Sequence, residues 1–232
     1  FGTPPPSIKL VLRSIYNSST ATYLPKPNPL TFLKLFCSSS FTNFRVFAFA
    51  VMLLKFSEME RRYGGHKYPK IESYETLKAQ GVLLDWDYTP PNAKIIYVSH
   101  EWVATKHADP RGVHVSVLLN VLRRLKQGKI DEVDIDMRIK ISRGINLSLL
   151  TTTREEWMKF LSSDTYIWFD WCCVPQNEKQ RRNALRSTFD YVKRADLFVI
   201  LAPGVIHADR IDPLTKRKMY IGNRSWRVNA RC

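Results

Sequence analysis

The sequence predicts an α/β fold built on a parallel sheet, and three observations carry that prediction. Tyr166-Ile-Trp-Phe-Asp170 and Leu197-Phe-Val-Ile-Leu-Ala202 are short and apolar throughout, as strands covered on both faces are. A helical segment lies between them, capped at Asn177 and Gln180, with Leu185, Phe189 and Val192 as its inner stripe. The stretch from Lys94 repeats the plan: an apolar strand, a polar loop, then an amphipathic helix. Alternation of strand and helix places helices on the faces of a parallel sheet, joined by right-handed crossovers.

The elements follow in order. Ser73-Tyr-Glu-Thr-Leu-Lys-Ala-Gln-Gly81 reads as a short helix that glycine ends, and Tyr88 to Asn92 as a proline turn. Lys94 to Ser99 is the first strand. From Val113 to Gln127, residues Val115, Leu118, Leu119, Leu122 and Leu125 share one helical face, and Gly128 closes the helix. Val133, Ile135, Met137, Ile139 and Ile141 alternate with polar residues, and Ile145, Leu147 and Leu149 follow the Arg143-Gly144 turn. Both runs read as strands. Thr153 and Glu156 form a capping box ahead of Trp157, Phe160 and Leu161.

Composition sets the limits. The 232 residues are 44% hydrophobic and 25% charged, the balance of a globular chain. Four cysteines are too few for a disulfide scaffold. The longest apolar run, Val46 to Leu54, is well short of the ~20 residues that cross a bilayer. These features point to a soluble domain in a reducing compartment, the cytoplasm. The net charge of +15 invites a nucleic-acid reading, but its distribution weakens it. Residues 1–57 hold six Lys or Arg and no acid; the other 30 basic residues are interleaved with all 21 acids. The Lys179–Arg182 and Lys216–Lys218 knots fit solvated surface, so a basic nucleic-acid module ranks below the other readings.

The chain divides near residue 58. The acid-free, Ser- and Pro-rich stretch 1–57 reads as a disordered or transit-like leader, or as untranslated sequence ahead of a start at Met52 or Met59. A transit role would direct the protein to an organelle. Residues 58–232 are the expected domain.

Polar residues gather where such sheets bind ligands, beyond the carboxyl ends of the strands. The first strand runs into Ser99, His100, Glu101 and Trp102, followed by His107 and Asp109; another ends at Asp170 and leads to Gln176. Hydroxyl, imidazole, carboxylate and amide groups there suit a sugar or phosphate, with Trp102 or Trp171 stacking a base. The plainer alternative is that His100 and Asp170 only satisfy each other and the backbone. Zinc held by His100, His107, His114, Cys172 and Cys173 is disfavoured, because the cysteines are adjacent rather than spaced as a metal pair. His114 reads as a surface residue. A cysteine nucleophile with His100 as base has no further support, and no glycine-rich phosphate loop occurs.

Lys94-Ile-Ile-Tyr-Val-Ser-His-Glu-Trp102, His107-Ala-Asp-Pro-Arg-Gly112, Tyr166-Ile-Trp-Phe-Asp-Trp-Cys-Cys-Val-Pro-Gln176 and Asn223-Arg-Ser-Trp226 follow one another in order. This ordered set, over about residues 70–232, resembles the Toll/interleukin-1 receptor (TIR)-like domains of protists, algae and microbes. The resemblance implies a flavodoxin-like parallel sheet flanked by helices, with a strand-rich insertion at about 129–164. It implies signalling or defence by assembly with copies of itself or other TIR-like domains. It also implies a nucleotide site that takes NAD as ligand or substrate. The alternative is an active NAD glycohydrolase that cleaves the nicotinamide–ribose bond. The family's closing motif carries a glutamate; here that position falls on Asn229, three residues beyond Trp226, so the domain reads as degenerate or truncated at its C-terminus. Asp170 or Glu101 would then have to supply the negative charge.

Overall fold

The computed structural model describes residues 11–12, 51–130, 132–133, 152–162, 164–202, 204–214 and 216–221. Chain order gives β1 (Val11–Leu12), β2 (Met52–Lys55), α1 (Phe56–Tyr63), α2 (Tyr74–Ala79), β3 (Leu83–Asp85), β4 (Lys94–His100) and α3 (Val113–Lys126). β5 (Glu132–Val133), β6 (Thr152–Thr153), α4 (Arg154–Ser162), β7 (Thr165–Phe169) and the one-turn α5 (Asp170–Cys173) follow. The chain continues through α6 (Glu178–Arg186), α7 (Thr188–Arg194), β8 (Leu197–Leu201), β9 (Val205–Ile211) and β10 (Lys218–Ile221).

The main sheet has the order β1-β8-β4-β7-β2-β3. Its centre is parallel: β4 pairs with β7 (Ile96 opposite Ile167) and with β8 (Val98 opposite Val199). β2 runs antiparallel to both β7 and β3, and the two-residue β1 is antiparallel to β8. The sheet is therefore mixed, with helices packed against it, rather than parallel throughout. The strands Thr165–Phe169 and Leu197–Leu201 fall within a residue of their predicted bounds. The two-residue strands β5 and β6 pair antiparallel within the expected insertion, whose remaining predicted strands lie outside the described residues.

Strand alternation sorts the side chains of β4 onto two faces. Tyr97 stacks between Trp168 (4.3 Å) and Phe198 (5.3 Å), and Trp168 meets Tyr191 of α7. The opposite face carries Ile96, Val98 and His100, and there His114 of α3 stands edge-on to the His100 ring. α3 and α7 thus cover opposite faces.

Two sequence expectations change. β2 and its flanks bury Val51, Leu53, Leu54 and Phe56 in the main core, so the folded unit takes in residues that the composition shift assigned to the leader. An absence of acids marks a change in charge, not the edge of a core. The single helix expected from Asn177 to Val192 is two helices broken at Ser187, with Ala184 and Tyr191 buried. Leu185, placed on the inner stripe, is 46% exposed because the break rotates the two halves out of one helical phase. The side chain of Phe189 lies outside the described residues.

Candidate functional site

β4 and β7 are neighbours, yet the chain leaves their carboxyl ends toward opposite faces, to α3 after β4 and to α7 after β7. Open α/β sheets bind ligands outside the carboxyl ends of their strands, and this is such an edge. His100 ends β4 and Asp170 opens the single turn after β7.

The two side chains meet. His100 Nε2 donates to Asp170 Oδ1 at 2.8 Å, and Trp102 Nε1 donates to Asp170 Oδ2 at 2.6 Å. Burial works to raise the Asp170 pKa, but the electrostatic pull of the His100 ring and the hydrogen bonds from His100, Trp102 and the Trp171 backbone outweigh it. Asp170 is held below the ordinary aspartate value and stays ionised at neutral pH. Its side chain is 24% exposed, whereas that of His100 is 1% exposed and lies flat on Phe169 at 4.2 Å. Only the carboxylate reaches solvent.

Around the carboxylate lies an aromatic shelf. Trp102 and Trp171 pack edge to face at 5.7 Å, and His107 lies against Trp171 at 4.2 Å. The Arg181 guanidinium sits 4.7 Å over the Trp102 ring, a cation–π contact that sequence reading did not find because Arg181 sits in a charge-rich helix. Burial first, and then the Lys70 charge, lower the His107 pKa, which keeps that imidazole neutral; its Nδ1 accepts from the Asp109 amide.

Other predicted residues do different work. Asp109 is fully buried and accepts from the backbone amides of Val113 and Val115, which caps α3. Burial raises its pKa against the pull of those amides and of His100. Gly112, at φ +67°, makes the turn into α3, and a Cβ there would stand 2.3 Å from the Pro69 carbonyl oxygen. The Gln176 amide donates to the carbonyls of Val174 and Trp171 and ties down its own turn. Ser99 lies on the sheet face opposite His100. Glu101 is within electrostatic reach of His207 in β9. Trp226 and Asn229 lie outside the described residues.

His114 corrects the sequence reading. It is buried at 1% exposure, with Nδ1 3.2 Å from His100 Nδ1. The signal was present: His114, Leu118 and Leu122 recur every four residues on one helical face. The thiols of Cys172 and Cys173 are buried and donate to the Phe169 and Ile167 carbonyls. Burial pushes the Cys172 thiol well up, and both His100 nitrogens are engaged by His114 and Asp170 rather than by a thiol. No group of three or more metal-ligating side chains gathers among the described residues. A groove of about 580 Å³ runs along α6, but none of the strand-top residues lines it. Among the described residues, no helix is long and apolar enough to cross a membrane.

No family model, curated protein or solved structure matches this chain.

Proposed function

We propose that this is a TIR-like signalling or defence domain that works by assembly with copies of itself or other TIR-like domains, and that binds a nucleotide of the NAD type over the strand tops. The observation that carries the ligand reading is Asp170: an ionised, partly exposed carboxylate fixed by His100 and Trp102 at the carboxyl ends of the parallel strands. The ordered sequence motifs and the parallel β8-β4-β7 centre support the family reading. Trp102 and Trp171 offer faces for a base or nicotinamide ring, and Arg181 offers a positive charge for phosphate.

A second reading, NAD glycohydrolysis, is favoured by the same ionised carboxylate, which would stabilise positive charge on ribose as nicotinamide leaves. Against it, both Asp170 oxygens already accept hydrogen bonds, which spreads the charge a ribosyl cation would need.

Calorimetry of NAD with the full chain and with Asp170→Asn tests the ligand reading, and nicotinamide release in the same samples separates binding from hydrolysis. Asp170→Asn keeps an acceptor but loses the charge, and should weaken binding about tenfold or more, the scale of one charge-assisted hydrogen bond. Equal affinity in both proteins, or none in either, overturns the site. Nicotinamide release by the native chain favours the enzyme.

A further inference from the structure

We propose that the His100–His114 contact is an acid-operated latch: taking up a proton parts α3 from the tops of β4 and β7. This goes beyond the ligand reading and does not depend on it.

Proton bookkeeping at the two rings carries the proposal. His100 Nε2–H is committed to Asp170. With both rings neutral, His100 Nδ1 is therefore a bare acceptor and His114 Nδ1 must donate to it across 3.2 Å. His114 Nε2 then carries only a lone pair, in a place where it has no hydrogen-bond partner among the described residues. One added proton leaves two arrangements. If it lands on His114, it lands on Nε2. If it lands on His100 Nδ1, that atom becomes the donor, and His114 must move its own proton from Nδ1 to Nε2 to accept. In either arrangement an N–H is created at His114 Nε2, buried and without an acceptor, which is a costly state. A second proton would set two imidazolium rings Nδ1 to Nδ1. The closed contact therefore suits the neutral pair alone.

The surroundings agree. Among the described residues, the charged groups facing the pair are Asp170 on α5, already engaged by His100 and Trp102, and Asp109 before α3, whose oxygens bond α3 amides. Cys172 on α5 is a neutral thiol. Burial, and next the electrostatic effect of the His100 ring, push the His114 pKa down to about 3, with Asp170 opposing. An unfolded histidine titrates near 6.5. The open or unfolded chain therefore binds this proton first, and the closed state loses ground as pH falls from about 6.5 toward 3. One proton of difference is tenfold in the equilibrium per pH unit. Asp109, whose pKa is raised, contributes with the opposite sign but is unchanged in the comparison below.

The test uses the full chain and His114→Phe, which keeps a ring against His100 without a titrating nitrogen. Urea unfolding equilibria are measured from pH 7.5 to 4.5, together with amide hydrogen exchange. The native chain should lose stability faster than the variant, by up to about tenfold per pH unit below pH 6.5. The amides of Val113 to Val115 should lose protection on acidification before those of β4. Parallel pH profiles for the two proteins overturn the latch. Where His114→Phe does not fold, ring-nitrogen NMR of the native chain decides. A His114 ring that protonates near pH 6.5 while the Val113–Val115 amides stay protected refutes the proposal, and a ring that protonates only as those amides open supports it.

Discussion

Replacing Leu54 by alanine asks whether β2 belongs to the core. Leu54 is fully buried and lies between Ile167 of β7 and Leu83 of β3. Truncation removes its apolar burial and leaves a cavity beneath strands that pair on both sides and cannot collapse freely. Fully buried Leu→Ala changes cost about 3–5 kcal/mol. That is a large part of the ~5–15 kcal/mol that holds a domain together. For a chain of this size it corresponds to a fall in melting temperature of roughly 10 °C. The control is the next residue. Lys55 is half-exposed and pairs with Asp164 at the surface, so Lys55→Ala should cost no more than about 0.5–1 kcal/mol. Urea unfolding of the full chain, followed by far-UV circular dichroism, gives both values. A cost below about 1 kcal/mol for Leu54→Ala, or equal costs for the two variants, would refute the placement of β2 inside the sheet.

Two further outcomes follow from local geometry. Gly112→Ala combines a left-handed backbone with a Cβ placed against the Pro69 carbonyl, so it should destabilise by about 2 kcal/mol or more in the same denaturation assay, and a neutral result would refute the described turn. Cys172 and Cys173 should resist iodoacetamide in the native chain and label only after denaturation, as peptide mass spectrometry would show; rapid native labelling would mean that α5 is open.

What was legible in the sequence follows from how each element earns its place. β7 and β8 were readable because a strand covered on both faces must be apolar at every position. α3 was readable because its stripe is regular, and Thr153 and Asn177 because a capping side chain has a local signature; both accept backbone amides as expected. The sequence also placed His100, Trp102 and Asp170 at one edge of the sheet, since strand ends fix where loops begin. β2 escaped because its apolar run has no period-2 alternation and sits in acid-free surroundings. The break at Ser187 escaped because its effect is a change of helical phase, which shows only once Tyr191 packs on Trp168. His114 escaped for a different reason: a histidine on an apolar stripe is burial-compatible only with a partner, and His100 lies 14 residues earlier in another element. Arg181 reaches Trp102 from a different strand-top connection, and nothing local in a charge-rich helix marks it for that contact.

The position of β4 also bears on how the chain is made. Both of its neighbours in the sheet arrive late: Lys94 pairs opposite Thr165, and Ile96 opposite Leu197. The carboxylate of Asp196 fastens the start of the strand, accepting from the Ile95 amide at 2.9 Å and from the Lys94 ammonium at 3.0 Å. A ribosome adding ~5–20 residues per second needs roughly 5–20 s to travel from one to the other. Until β7 is made this largely buried strand has neither edge covered, and its β8 edge stays open to the end of the interval. Chaperone demand during synthesis should therefore peak after β4 emerges and fall once β8 has cleared the exit.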